Sequence, residues 1–178
     1  FSTRETLRTE LGVFETFDPK IPKGYQGAEF VLLGNINPSV QLKVLNRLEG
    51  EPFVITDTMN LWIDVARDEL KKVIGRTDLL VINDEESALL TGELQIRVAA
   101  QKILEMGPSS LIINRWEHGA YVVAGDELFF SPVNPLKEVV DPTGAGDSFA
   151  GGLAGYICQK GTSDPNAIKM GMLYGTAV

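Results

Sequence analysis

Apolar residues along the chain are grouped into short runs of strand length, separated by segments with helical periodicity. Runs that are apolar throughout, rather than at alternate positions, predict strands buried on both faces, as in a parallel sheet. Segments 60–74 and 94–106 instead repeat their apolar residues at helical spacing. This alternation predicts an α/β fold with a doubly wound, mostly parallel sheet and helices on both faces. The runs are FVLLG (30–34), FVIT (53–56), LLVI (79–82), SLII (110–113) and KEVV (137–140).

Two segments depart from this alternation. In AYVVAGDELFFS (120–131), Gly125-Asp126 separates two apolar runs, which predicts an antiparallel hairpin. The first thirty residues are predicted to form short strands and turns that end in the proline-containing segment 18–27. Because no linker or repeat interrupts the chain, residues 1–178 are predicted to form a single domain.

A polar side chain follows each predicted strand. In open α/β sheets the carboxyl ends of the strands form the edge where ligands bind. Asn and Asp also start loops and cap helices, so each residue taken alone has a structural alternative. As a set they indicate the functional edge without naming a chemistry. The five residues are Asn35, Asp57, Asn83, Asn114 and Asp141.

Composition narrows the class of protein. With 44% hydrophobic residues the chain has the composition of a folded domain. Its 24 acidic residues exceed its 16 basic ones, giving a net charge of −8. This excess disfavours nucleic acid or an anionic membrane surface as the main partner. No apolar run approaches the roughly 18 residues that would predict a membrane-spanning helix.

Cys158 is the single cysteine, so an intrachain disulfide is impossible. It follows Phe149, Leu153 and Ile157, which recur at helical spacing, and we expect it to be a small buried hydrophobe rather than a reactive thiol. The lack of disulfides favours a cytoplasmic location.

Glycines cluster in the segment DPTGAGDSFAGG (141–152). A Gly-Ala-Gly turn (144–146) leads into a helical stretch that starts near Asp147. Glycines allow backbone N–H groups to approach an anion closely, and a helix N-terminus adds the positive end of its dipole. The segment therefore predicts a phosphate-binding turn. A carboxylate beside a polyphosphate is repulsive unless it has a task, such as taking a proton from an attacking hydroxyl.

Two other glycine motifs are excluded. A P-loop requires Gly-Lys-Ser/Thr, but Leu153 follows Gly151-Gly152. A dinucleotide-binding G-x-G-x-x-G starting at Gly144 requires glycine where Phe149 stands. A dinucleotide-dependent oxidoreductase is therefore disfavoured.

The glycine segment resembles the signature D-x-T-G-A-G-D-x-F-x-x-G of the ribokinase-like (PfkB) carbohydrate kinases. Two further motifs agree in order and spacing. Asn83-Asp84-Glu85-Glu86 is similar to the family's N-x-x-E, and 117–120 is similar to its G-E-x-G-A turn. The resemblance covers at least residues 30–178 and implies the ribokinase-like fold.

The resemblance implies roles for several residues. Asp147 would be the general base that deprotonates the acceptor hydroxyl. The backbone N–H groups of Gly144, Ala145 and Gly146 would form an anion hole for the transferred phosphoryl group of ATP. The acceptor would be a small-molecule sugar or nucleoside.

The resemblance also implies ion sites and an acceptor pocket. Asn83 and Glu86 would hold Mg²⁺ and its waters, although a helix cap with a first-turn acid explains the same pair. Asp141 and Thr143 resemble positions that bind a monovalent cation, K⁺, in some members. Asp57 and Asn60 would face the acceptor. Asn60 could equally be the N-cap of a helix over 61–74.

The third motif departs from the family pattern. Trp116 stands where the family usually has glycine, and Asn114 stands where Thr or Lys is common. In relatives this turn, which includes Gly119, lies beside the nucleotide. The indole would therefore crowd or stack on ATP, or else it covers apolar surface. His118 is expected to be an exposed turn residue.

Members of the family are longer at both ends, and the chain starts at Phe1 rather than Met. We therefore expect a partial domain, without the N-terminal sugar-binding residues, the β-lid that often forms a homodimer, or the C-terminal adenine loop. The predicted function is ATP-dependent phosphoryl transfer to a hydroxyl of a sugar or nucleoside-like molecule. The alternative is a non-catalytic nucleotide- or sugar-binding protein on the same fold.

Overall fold

A computed structural model of the chain describes residues 10–14, 16–125, 127–133, 141 and 143–177. The strand predicted at 137–140 lies outside the described residues. The strands are β1 (Phe30–Leu33), β2 (Phe53–Asp57), β3 (Leu79–Asn83), β4 (Ser110–Asn114), β5 (Ala120–Ala124) and β6 (Glu127–Ser131). The helices are α1 (Lys23–Gln26), α2 (Pro38–Leu45), α3 (Asn60–Val65), α4 (Arg67–Ile74), α5 (Asp84–Thr91), α6 (Ile96–Leu104), α7 (Ala145–Lys160) and α8 (Pro165–Ala177).

The six strands form one mixed sheet in the order β1-β2-β3-β4-β5-β6. Strands β1 to β4 are parallel, and β5 and β6 are antiparallel to their neighbours. The hairpin predicted at 120–131 is confirmed, and so is the parallel pairing of the first four apolar runs. Since β3 and β4 pair in register from Leu79 opposite Ser110 to Asn83 opposite Asn114, both strands end at the same edge.

Helices cover both faces of the sheet, which confirms the doubly wound α/β prediction. Alternate residues of β3 point to opposite layers, because side chains of a strand alternate between its faces. Leu79 and Val81 pack with Leu153 of α7 and Met172 of α8. The intervening strand residues pack on the other side with helices α3 to α6, and their cluster includes Leu80, Ile82, Ile63, Leu70 and Ile103.

Three local predictions are wrong. The helix predicted over 60–74 is two helices, because Ala66 leaves helical geometry with φ −140° and ψ 37°. Within 10–14 and 16–29 the structure has a 3₁₀ turn at Gly12–Phe14 and helix α1 in place of strands. The prolines at 19 and 22 lack the N–H that a strand ladder needs. Cys158 is exposed, because it lies about 100° around α7 from the buried Ile157.

Helices α7 and α8 approach closely through glycines of α8. A Cβ placed at Gly175 would lie 2.6 Å from the backbone oxygen of Phe149. One placed at Gly171 would lie 2.9 Å from a methyl group of Leu153. The absence of these side chains therefore sets the separation of the two helices. No helix among the described residues is both long and apolar enough to cross a membrane.

Gly175→Ala is expected to destabilise the fold by about 1–3 kcal/mol, because the added methyl group meets backbone rather than a movable side chain. The measurement is urea denaturation. Gly155→Ala on α7 is the matched control, since a Cβ there meets nothing within 4 Å. That substitution should leave stability unchanged or raise it by up to about 1 kcal/mol. Equal losses in both variants would contradict the close-packing argument.

Candidate active site

Four of the five predicted strand-end residues lie along one edge of the sheet. Asp57, Asn83 and Asn114 are the last residues of β2, β3 and β4. Asn35 lies two residues beyond β1. These are the carboxyl ends of four adjacent parallel strands, the edge at which α/β proteins bind ligands. Asp141 is described, but the segment before it is not.

Helix α7 begins with the predicted Gly-Ala-Gly turn. Gly144 is its N-cap, with φ 81°, and supplies no side-chain acceptor to the first turn. The left-handed backbone at this position favours glycine. Ala145, Gly146 and Asp147 are exposed. The first turn of α7 therefore presents backbone N–H groups and one carboxylate to solvent, an arrangement suited to an anion and a proton acceptor.

Asp57 lies within electrostatic range of Asp147. Burial raises the pKa of the Asp57 carboxyl to about 6, the backbone N–H of Thr58 opposes this rise, and the negative charge of Asp147 adds to it. The end of β2 and the start of α7 are therefore neighbours at this edge, although 90 residues separate them along the chain. The structure thus places Asp57, which is predicted to face the acceptor substrate, near Asp147, the predicted base.

Glu86 connects this pair to β3. It is only 9% exposed, and burial raises the pKa of its carboxyl to about 7. The backbone N–H of Asn83 opposes the rise, the charge of Asp57 adds to it, and the Asn83 side chain and the backbone N–H of Asn60 oppose it further. Asp57, Glu86 and Asp147 therefore form a chain of interacting carboxylates along the edge.

The helix-cap interpretation of Asn83 and Glu86 is confirmed. Asn83 Oδ1 accepts from the Glu86 backbone N–H at 2.8 Å, and Glu86 Oε2 accepts from the Asn83 backbone N–H at 3.1 Å. This reciprocal pair is a capping box that starts α5. The metal role stays a prediction. Among the described residues no three His, Cys, Asp or Glu side chains are grouped closely enough to hold a metal alone.

The donor set nevertheless suits Mg²⁺, which is usually bound by one or two carboxylates together with waters and substrate phosphates. The carboxylates of buried Glu86 and half-buried Asp57 have raised pKa values and repel each other, and a cation would relieve this repulsion. Asn83 contributes an amide group at the same place.

Asn60 is the first residue of α3, and Met59 holds the cap position without a side-chain cap bond. The N-cap interpretation of Asn60 is therefore wrong. Its backbone N–H lies close enough to the Glu86 carboxylate to oppose the rise in the pKa of that carboxyl. Because Met59 has an extended backbone (φ −147°, ψ 165°) and holds the cap position, the helix starts one residue earlier than expected.

Sequence reasoning missed Gln41. This residue of α2 is 1% exposed, and its Nε2 donates to the carbonyls of Gly34 at 2.9 Å and Asp57 at 3.3 Å. It joins the carboxyl ends of β1 and β2 and thereby supports Asp57. A further bond, from Trp62 Nε1 to Asn35 Oδ1 at 2.9 Å, ties α3 to the end of β1. The available signal was a glutamine between the apolar residues Val40 and Leu42 of α2.

The turn after β4 is closed and anchored. Arg115 donates its backbone N–H to the Gly119 carbonyl at 2.8 Å, and its side chain pairs with Asp84 of α5 at 3.3 Å. A Cβ at Gly119, where φ is 86°, would collide with the Ser131 carbonyl of β6. The Gly119 N–H donates to Trp116 at 3.2 Å, so both of its backbone polar groups act within the turn. Gly119 and Asn114 as nucleotide contacts stay predictions, whereas exposed His118 is confirmed.

Trp116 has the left-handed backbone that the glycine of the family pattern would adopt freely. Its φ is 50° and the residue is 46% exposed.

A side-chain hydrogen bond precedes α7. Asp141 Oδ1 accepts from the Thr143 backbone N–H at 2.9 Å, which shapes the chain just before Gly144.

With fold and site described, the chain can be assigned to a family. Residues 41–178 match the pfkB family carbohydrate kinases, and the chain belongs to that family. It is 34% identical over 169 residues to a cytidine kinase from Thermococcus kodakarensis, an alignment that covers 92% of this chain and 60% of that protein.

Two solved structures share the fold of this chain. A nucleoside kinase from Methanocaldococcus jannaschii, described as an archaeal member of the ribokinase family, superposes with a TM-score of 0.67 at 23% identity. That match covers 93% of this chain and 52% of the other. A provisional ribokinase II from E. coli in complex with ATP and Mg²⁺ superposes with a TM-score of 0.63 at 26% identity, covering 77% and 46%. The chain thus spans roughly half to three fifths of the length of these relatives.

Proposed function

We propose that the protein transfers the γ-phosphoryl group of ATP to a hydroxyl of a sugar or nucleoside-like small molecule. The observation that carries this proposal is the exposed Asp147 in the first turn of α7, directly after an open Gly-Ala-Gly turn and beside Asp57. The cytidine kinase among the relatives supports a hydroxyl-bearing acceptor.

In the proposed reaction, the Asp147 carboxylate accepts the proton of the acceptor hydroxyl as its oxygen attacks the γ-phosphorus. The bond from that phosphorus to the β,γ-bridging oxygen breaks, and ADP leaves. Backbone N–H groups at Gly144, Ala145 and Gly146 stabilise the charge that develops on the phosphoryl oxygens. Asp57, at the end of β2, and Asn60, at the start of α3, would position the acceptor.

Asn83 and Glu86 would hold Mg²⁺ together with water and phosphate oxygens, and the ion when bound neutralises phosphate charge. The edge is otherwise acidic, with Asp57, Glu86 and Asp147 close enough for their charges to interact. A bare polyphosphate would be repelled there, which supports a cation in the reactive complex. A K⁺ site at Asp141 and Thr143, a homodimer and a cytoplasmic location stay predictions.

The proposal is tested by coupled ADP release with the whole protein, ATP and Mg²⁺. Cytidine, adenosine, ribose and fructose are supplied separately, and a reaction without acceptor measures background ATP hydrolysis. We expect at least one acceptor to raise ADP release well above background. ATP and acceptor binding by calorimetry without acceptor-dependent turnover would instead support the non-catalytic binding protein.

A further inference from the structure

Gln41 of α2 connects β1 and β2 at the edge of the sheet that holds the candidate site. The ladder between these strands ends at the pair Leu33–Thr56, so Gly34 and Asp57 are the next residues in register. Their carbonyls both accept from Gln41 Nε2, at 2.9 Å and 3.3 Å. A side-chain amide NH₂ has two donors, one for each carbonyl. The glutamine therefore links the two strands at the point where their own pairing stops.

This link fixes the backbone of Asp57. On its other side Asp57 is in register with Val81 of β3. Asp57 is therefore held from two sides, although it is the last residue of its strand. Because a side chain is attached to its own backbone, the two hydrogen bonds of Gln41 also restrict where the Asp57 carboxylate can lie.

The amide of Gln41 is only half satisfied. The residue is 1% exposed, and its Oε1 has no hydrogen-bond partner among the described residues. An unpaired buried oxygen is destabilising, and an apolar side chain of similar volume would avoid this loss. Such a side chain would not donate to the carbonyls of Gly34 and Asp57. The two donors are therefore the property of glutamine that this position uses.

Gln41 is not placed to take part in the chemistry itself. It is almost fully buried, and its Nε2 donors already bind main-chain carbonyls. Its effect on a reaction would therefore pass through Asp57, which lies near Asp147. Resting on the proposed kinase function, we propose that Gln41 is a positioning residue that holds the Asp57 carboxylate where it binds the acceptor.

The test uses Gln41→Met, which keeps a side chain of similar length but donates to neither carbonyl. The acceptor is whichever of cytidine, adenosine, ribose and fructose gives the highest ADP release with the wild-type protein. In Gln41→Met, kcat/KM for this acceptor should fall by roughly 10- to 100-fold, because the orientation of the acceptor is lost. KM for ATP should be nearly unchanged.

Gln41→Glu is a second, graded variant. Burial favours the protonated carboxyl, which has one donor in place of two. Its loss of acceptor kcat/KM should therefore be smaller than that of Gln41→Met. If Gln41→Met does not fold, Gln41→Glu replaces it in every comparison.

Leu45→Val is the matched control for a general loosening of α2. Leu45 lies about one turn further along the same helix, is 4% exposed, and packs with Leu33, Val54 and Val73. Urea denaturation measures how much stability each variant loses. Leu45→Val should lower stability but leave acceptor kcat/KM unchanged, because the hydrogen bonds to Gly34 and Asp57 remain.

NMR titration of Asp57 gives a readout that does not depend on turnover. Burial is the main cause of the rise in its pKa to about 6. A carboxylate released from its position is better solvated, so this pKa should fall in Gln41→Met and stay near its wild-type value in Leu45→Val.

Three results would overturn the positioning role of Gln41. They are an unchanged Asp57 pKa in Gln41→Met, an unchanged acceptor kcat/KM in that variant, and equal effects in Gln41→Met and Leu45→Val. A wild-type protein that transfers phosphate to none of the acceptors would contradict the kinase proposal instead. The pKa of Asp57 would then still decide whether Gln41 positions that carboxylate.

Discussion

Replacing Asp147 with asparagine is expected to lower kcat by roughly 10²–10⁴ and to leave ATP binding little changed. Asparagine has the same shape but does not accept the hydroxyl proton. The backbone N–H groups of the first turn of α7 stay in place, so the anion hole is retained. Because Asp147 is exposed, its replacement should also have little effect on folding. Steady-state kinetics measures kcat, and calorimetry measures ATP binding.

Asp68→Asn is the matched control, since Asp68 is also an exposed aspartate in the first turn of a helix, α4. It should leave kcat unchanged. A second readout is the pKa of Asp57 followed by NMR, which should fall in Asp147→Asn because a neighbouring negative charge is removed. Full turnover in Asp147→Asn would remove Asp147 from the base role.

Glu86→Gln is expected to have two opposite effects. The buried carboxyl has its pKa raised from 4.5 to about 7 in the folded protein. The folded state therefore binds more protons than the unfolded state between these values, and stability falls as pH rises from about 4.5 through 7. Glutamine stays neutral and still fits a capping box, so the variant should gain on the order of 2–3 kcal/mol at pH 8.

The second effect concerns Mg²⁺. Loss of one carboxylate should raise the Mg²⁺ concentration for half-maximal activity by about 10- to 100-fold. Denaturation at pH 5, 6, 7 and 8, together with Mg²⁺ titrations of activity, measures both effects. Glu85→Gln, on the same first turn but exposed, should change neither. A uniform loss of stability at every pH, with unchanged Mg²⁺ dependence, would leave Glu86 with a capping role alone.

Much of the sheet could be predicted because its central strands are buried on both faces and are therefore apolar throughout. The hairpin was marked by Gly125, and the ligand edge by polar residues after each run. The break at Ala66 could not be predicted, because the apolar spacing continues through this residue. The break is visible only in the backbone angles of Ala66. Helix α5 is short and mostly polar, so its N-x-x-E motif predicted a cap at its start but not the length of the helix.

The sequence likewise indicated some residues of the candidate site and not others. Residues in contiguous motifs, such as Asp147 and Asn83, could be proposed from the sequence because their neighbours define the motif, and their roles stay predictions. Gln41 was missed because its partners are carbonyls of two different strands, which no local pattern records. The error at Cys158 arose because helical spacing does not show where the buried face of α7 ends. The strain at Trp116 had a signal, a tryptophan in place of glycine, but the backbone angle itself required the structure.

The close approach of α8 to α7 reaches the start of α7, where the proposed base lies. Phe149, whose carbonyl lies nearest to Gly175, is two residues beyond Asp147. A side chain at 175 would therefore displace the turn that carries Asp147, the proposed proton acceptor, as well as separate two helices. Position 175 contacts no proposed ligand, yet substitutions there should be selected against for their effect on turnover. A substitution at 175 that lowered activity would therefore resemble an active-site mutation, although every proposed active-site residue would be unchanged.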